Sequence, residues 1–484
     1  MRISNLTDAT LDVVRTTSSY ISELTTPTVR IGITGLSRSG KTVFVTSLVK
    51  TLLDQCGRPN LPTDLIHGFR AFLEPQPDDD LPRFPYEKNL QVLTSDSPTW
   101  PESTRRISQL RITLEWDAQD WARRNAGISR RLHIDLIDYP GEWLVDLGIL
   151  PLSYTQWCAT LELLPDVKHR DNATELWRAY QNQQREDAAP DEHVAMKGAE
   201  LYRNYLNSQR KNDPAIRLIT PGRFLLPGDL EGSPLLTFFP LRMADNATIP
   251  QNSLAALLER RYESYKNQVV LPFFERHFQS LDRQIVLIDA LGAMNEGARA
   301  IGELENTIDR ILEVFRPGRN AWWRRIFDRR IERVMFAATK ADHIHSSNHH
   351  RLKQILHAMV LRSARRIEAA GADIKVAALA ALRSTQDMDY GAGDNRLPCI
   401  LGRPVKGESI GRQIFDGTTD TVLFPGDLPE DPYDIFETDK VPVGQLQFVR
   451  FLPPNVKDES AIEELWPHVG LQEVVQFLLG DHIK

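Results

Sequence analysis

The chain has 484 residues, a net charge of −7 and 41% apolar residues. That length is too great for one ordinary core and points to two or three packed units. The acidic balance offers no global field for nucleic acid. Cys56, Cys158 and Cys399 are too few and too widely spaced for a disulfide framework or a metal knuckle. With no apolar run of about 18 residues and no signal-peptide pattern, a chain of the reducing cytoplasm is expected.

After a helical extension over 1–26, Val29, Ile31 and Ile33 read as an apolar strand. Gly35-Leu-Ser37-Arg38-Ser39-Gly40-Lys41-Thr42 follows, with the spacing of a P-loop. Gly35 permits the tight turn out of the strand, and Gly40 permits close approach of backbone to a ligand. N–H groups from Ser37, Arg38 and Ser39 through to Val43 then form an anion nest at a helix N-terminus. Lys41 adds a point charge for terminal phosphates, and the Thr42 hydroxyl suits Mg²⁺. Val45, Leu48, Val49 and Leu52 continue at helical spacing. Arg38 either lends charge to catalysis or sits on the rim of the loop.

Residues 57–104 form a long connection, holding eight of the 30 prolines between 57 and 101. They read as an irregular switch loop. Thr104, with Thr99 as the second choice, stands where a metal-contacting switch threonine belongs. The alternating Leu110, Ile112, Leu114 and Trp116 make a half-buried strand, and the return strand ends in Asp138-Tyr-Pro-Gly141-Glu142. Asp138 is the candidate for Mg²⁺ through water, and Gly141 for a terminal phosphate. Ile285-Val-Leu-Ile-Asp289-Ala-Leu-Gly292 has the same shape, but a helix-capping role suits Asp289 better. Glu142 stands where glutamine usually orients water in Ras-like enzymes, so slow hydrolysis is expected.

Arg333-Val-Met-Phe-Ala-Ala ends in Thr339-Lys340-Ala341-Asp342. A carboxylate at Asp342 can accept from guanine N1–H and N2–H₂, a donor pair that adenine lacks, and the Lys340 stem can cover the base. Thr339 takes the first place of that motif. The strand from Ile374 to Ser384 comes last, and Ala380, Ala381 and Leu382 are the candidates beside the base.

In this order the motifs resemble those of Ras-like G domains. Gly35–Thr42, Trp100–Thr104, Asp138–Trp143, Leu287–Gly297 and Thr339–Asp342 resemble the YcjX family of bacterial P-loop GTPases. The resemblance implies an α/β fold, with a Ras-like G domain on a mixed, mostly parallel sheet, carrying a large helical and a smaller β-rich insertion. It also implies GTP hydrolysis with Mg²⁺, a stress association and an inner-membrane neighbour.

The layout that follows is a G domain over 27–150 and 283–382, a mostly helical insertion over 151–282, a β-rich insertion over 383–465, and a closing helix over 466–484. Within the helical part, Tyr154–Trp157, Leu176–Tyr180 and Leu201–Leu206 read as helices with core aromatics, and Leu254–Phe278 as one helix interrupted near Pro272. Arg316–Arg330 is basic and aromatic, a candidate contact for an anionic membrane surface or acidic partner, or else a plain connection. The reading is a GTP-driven switch. A nucleotide-gated scaffold, favoured by Glu142, and a P-loop small-molecule kinase are the alternatives.

Overall fold

The structure is a computed structural model that describes residues 26–35, 38–54, 69–102, 106–117, 129–162, 171–212, 221–245, 247–313, 331–369, 371–391, 396–437, 446–456 and 466–483. Ser37, Thr104 and Arg316–Arg330 lie outside the described residues.

The sheet is built from β1 (Thr28–Gly35), β2 (Arg70–Glu74), β3 (Ser108–Asp117), β4 (Ser129–Asp138), β5 (Arg283–Ile288), β6 (Arg333–Thr339) and β7 (Asp373–Leu379). Their order is β2-β3-β4-β1-β5-β6-β7. All pairings from β4 through β7 are parallel, and β3 runs against both its neighbours. The inner strands are buried on both faces, which is why they read as continuous apolar runs. Period-two alternation sends Ile285 and Leu287 of β5 to one face and Val286 and Ile288 to the other.

On the first face α1 (Lys41–Asp54) packs through Val45, Leu48, Val49 and Leu52. α2 (Tyr86–Thr94) lies beside it. The expected irregular loop over 57–104 is therefore partly ordered. β2 adds an antiparallel edge to β3, Phe72 opposite Thr113, and α2 buries Tyr86 and Leu93. Prolines flank both pieces without entering them, so the composition that suggested a loop belongs to their connections.

The opposite face carries one continuous apolar cluster. It joins β5 and β6 to α3 (Tyr154–Glu162), α4 (Asn172–Gln183), α5 (Glu192–Asn212), α6 (Leu254–Tyr265), α7 (Ala290–Glu296), α8 (Ala298–Glu313) and α9 (His349–Ala369). The aromatics read as core are core: Trp157 stacks on Tyr262 at 5.0 Å, and Trp177 lies 4.9 Å from Tyr202. After α6 the backbone stays helical to Phe278. Wide π-turns at Lys266–Val270 and Phe274–Phe278 flank Pro272, so the helix is deformed there and not broken.

The last expected strand is shorter than the sequence suggested: β7 stops at Leu379, and β8 (Thr385–Tyr390) starts a separate small sheet with β9 (Leu397–Gly402) and Thr421–Leu423. α10 (Leu471–Leu479) buries Leu471, Val474, Val475 and Leu478 against the first face. Asp481 just beyond it pairs with Arg283 at 2.9 Å and Arg333 at 3.0 Å, at the starts of β5 and β6.

Candidate nucleotide site

At the C-terminal end of β1 the chain turns where side chains cannot fit. A Cβ on Gly35 would come within 2.8 Å of the Leu287 carbonyl oxygen. Arg38 and Gly40 take left-handed backbone, with φ of 69° and 82°. For Gly40 that conformation, and not crowding, selects glycine, because a Cβ there would meet nothing within 4 Å. α1 starts at Lys41, so the first N–H groups of a 14-residue helix face the turn. The Lys41 ammonium lies 3.4 Å from Asp138 Oδ1, with both side chains buried. The Thr42 hydroxyl donates to the Glu102 carbonyl at 3.2 Å. Gly141 packs on the turn, where a Cβ would stand 2.8 Å from the Gly35 carbonyl oxygen.

A second loop follows β6. Lys340 is left-handed, φ 60°, and its ammonium donates to Asp289 Oδ2 at 2.5 Å. Asp289 also caps α7, its Oδ1 accepting from Gly292 N at 2.9 Å, as the sequence suggested. Asp342 is buried, and its Oδ2 accepts from both the backbone N and the hydroxyl of Ser384, each at 2.7 Å. Its Oδ1 takes no hydrogen bond among the described residues. The sequence singled out Ala380, Ala381 and Leu382 here. They line the same space, but the partner of Asp342 is Ser384, one turn later, because β7 ends early. The Arg383-Ser384-Thr385 run just past the strand was the available signal.

This second loop is braced from far along the chain. Ala380 and Val469 exchange backbone hydrogen bonds at 3.0 and 2.8 Å, and Arg383 N donates to the Pro467 carbonyl at 2.8 Å. The Trp466 indole donates to the Ala381 carbonyl at 3.1 Å. Phe451 meets His343 edge-on, ring centres 5.1 Å apart, and its carbonyl accepts from the Trp100 indole at 2.7 Å. Burial holds the His343 imidazole below its ordinary pKa, favouring the neutral ring.

A third wall comes from the helical segment after β4. Gly141–Ile149 forms a 3₁₀ helix, and a Cβ on Gly222 would overlap the Glu142 carbonyl. Asp146 fastens this contact: it accepts from Gly222 N at 2.5 Å, Arg223 N at 2.9 Å and the Tyr265 hydroxyl at 2.6 Å. Burial pushes its carboxyl up to about 6 despite those donors. The Arg223 guanidinium stacks 4.2 Å above Trp143.

The three walls enclose one cleft of about 1350 Å³. It is lined by Gly35, Arg38, Ser39, Gly40, Lys41, Thr42 and Val43, by Glu142, by Thr339, Lys340 and Asp342, and by Ala380, Ala381 and Leu382. Asp138 and Gly141 stand behind that lining, against Lys41 and Gly35. Arg203, Asn207 and Glu231, which the sequence gave no reason to choose, line the same cleft.

A seven-stranded, mostly parallel sheet that presents a P-loop after β1 and a Thr-Lys-x-Asp turn after β6 at the same edge has the Ras-like α/β fold. Residues 29–483 match the YcjX-like family, DUF463, and the chain belongs to that family. It is 31% identical over 468 residues to the Ras-like GTPase YcjX of Escherichia coli K12, covering 94% of this chain and 96% of that protein. To the Ras-like GTPase YcjX of Shewanella oneidensis it is 30% identical over 476 residues, covering 94% of each. The expected family and fold stand, and with them a GTPase-like function.

Proposed function

We propose that this chain is a switch that binds GTP and GDP with Mg²⁺ and hydrolyses GTP slowly. The observation that carries this is the meeting of Gly35 and residues 38–43 with Thr339, Lys340 and Asp342 on one cleft, although they are far apart in sequence. The N–H groups of the turn, Lys41 and Gly141 hold the phosphates. Asp342, oriented by Ser384, reads guanine through the donor pair that adenine lacks. Lys340, steadied by Asp289, lays its stem along the base.

The donor set suits Mg²⁺. The Thr42 hydroxyl and the Asp138 carboxylate are hard oxygen donors beside the turn, and Thr104 follows two residues after Glu102, whose carbonyl meets Thr42. No cluster of three or more His, Cys, Asp or Glu with metal-holding geometry occurs among the described residues, which fits an ion shared with substrate phosphates. Bound there, Mg²⁺ neutralises charge on the β- and γ-phosphate oxygens.

Glu142 supports slow turnover. It is 6% exposed beside the cleft, and a carboxylate there repels a γ-phosphate unless it orients water. The same feature supports a second reading, a nucleotide-gated scaffold with negligible hydrolysis. The stress association and the inner-membrane partner rest on the family resemblance. No helix among the described residues is long and apolar enough to cross a membrane.

Calorimetry with GTP, GDP and ATP, followed by phosphate release, tests the proposal. GTP and GDP are expected to bind at least about 100-fold more tightly than ATP, with measurable but slow release of phosphate. Equal affinity for ATP overturns the base assignment. Tight GTP binding without release selects the scaffold.

A further inference from the structure

We propose that Arg203 is a built-in catalytic arginine of this site, supplied by the helical segment and directed at the γ-phosphate. The inference rests on the GTPase reading above and adds a residue to it.

α5 buries Ala195, Ala199, Tyr202 and Leu206. Gly198 lets the Phe239 ring sit directly on the helix, since a Cβ there would overlap it. Tyr202 is wedged between Trp157 and Trp177, at 6.2 and 4.9 Å. A helix fixed this tightly presents the next residue from a rigid base. The Arg203 guanidinium lies 5.0 Å from the centre of the Phe224 ring. Phe224 is two residues beyond Gly222, whose backbone abuts Glu142. The short segment Gly222–Phe224 therefore carries both the support of Arg203 and the wall against Glu142. Arg203 and Glu142 line the same cleft.

What Arg203 lacks completes the case. Among the described residues it makes no hydrogen bond and no ion pair, and its Nε is buried without a partner. Burial lowers its pKa while Glu231 and Glu200 act on it only at longer range. A half-buried guanidinium with no carboxylate partner is costly unless a ligand supplies the anion. Arg38 and Arg106 also line the cleft, but both side chains are exposed.

The step needs no proton from Arg203. Water oxygen forms a bond to the γ-phosphorus, the bond from that phosphorus to the β–γ bridging oxygen breaks with its electron pair leaving on GDP, a proton of the attacking water passes to a γ-oxygen of the departing phosphate, and negative charge accumulates on the bridging oxygen as the bond breaks. The guanidinium donates hydrogen bonds to those oxygens as the charge builds.

The test uses the full chain under single-turnover conditions, with GDP affinity measured first. Arg203→Met keeps the stem on Phe224 and removes the charge; Arg203→Ala removes both, and Arg203→Lys keeps a charge without the fork. Met and Ala variants should hydrolyse GTP at least about 100-fold more slowly, bind GDP within about twofold of wild type, and fail to trap GDP with aluminium fluoride. The Lys variant should recover part of the rate. Wild type should trap GDP–aluminium fluoride with no added protein. Hydrolysis and trapping by Arg203→Met equal to wild type overturn the proposal, as does a wild type that binds GDP but neither hydrolyses GTP nor traps the fluoride complex. If wild type binds no guanine nucleotide, the GTPase reading itself falls, a result that separates the two.

Discussion

At the P-loop end of the cleft, one short stretch makes most of its own shape. Gly35 is demanded by the Leu287 backbone, Gly40 by a positive φ, and the donors belong to consecutive residues at the start of α1. At the Thr339–Asp342 end no stretch is sufficient. Asp342 is set by Ser384, Lys340 by Asp289, and the loop carrying Ala380 and Ala381 by Trp466, Pro467 and Val469. A site made of local backbone tolerates change everywhere except in its own few residues. A site assembled from distant braces can be weakened from many places, each by a little.

Four substitutions sharpen that contrast, beginning with the greatest loss. Lys41→Ala removes a buried charge from the P-loop end of the cleft, where the proposal places the phosphates. It should weaken GTP and GDP binding by about 4 kcal/mol, on the order of a thousandfold, by calorimetry. It should also lower the melting temperature, because Asp138 loses the ammonium at 3.4 Å. Unchanged affinity would remove the phosphate end from the site.

Asp342→Asn turns an amide toward the guanine donors. GTP affinity should fall about 100-fold while xanthosine triphosphate, which carries oxygen in place of the 2-amino group, should bind better than it does to wild type. Loss of affinity for both nucleotides alike would argue that Asp342 braces the loop without reading the base.

Ser384→Ala removes one of the two donors that aim the Asp342 carboxylate. About 1 kcal/mol, or fivefold in GTP affinity, is expected, with selectivity over ATP reduced and the rate of bound-GTP hydrolysis unchanged. A rate effect instead would place this brace at the wrong end of the cleft.

The mildest effect lies in the wall beside Glu142. The Asp146 carboxyl stands at about 6 in the folded chain against an ordinary 3.8. Between those values the folded chain holds a proton that the unfolded chain has released. Stability from this group is therefore greatest at the acidic edge of the window, falls as pH rises to about 6, and stays at its lower value above. Asp146→Asn should flatten the melting profile between about pH 4 and 6, by no more than a few degrees. An unchanged slope would show that other groups dominate there.

The contrast also explains what could be read from the sequence. Gly35–Thr42, Asp138–Gly141 and Thr339–Asp342 were legible because each motif's residue types and spacing are local, although Lys340 and Asp342 are positioned by distant partners. The alternation of Leu110 to Trp116 and the stripe from Leu471 to Leu478 were legible because burial imposes a period. Ser384 was missed because its role depends on where β7 stops, and that is decided by pairing with β6 and by Val469, not by β7's own residues. β2 and α2 were hidden among prolines that only flank them. Arg203 carried no motif at all: its place is set by aromatic packing among α3, α4, α5 and α6.

The braces from Trp466 to Val469, with Asp481 holding Arg283 and Arg333, have a further meaning during synthesis. A ribosome releases the P-loop early, yet the clamp on Ala380–Arg383 is encoded after residue 465. A nascent chain can therefore form the turn after β1 long before the loop after β6 is clamped. On the function proposed above, selective capture of a guanine nucleotide would wait for the residues from Trp466 onward.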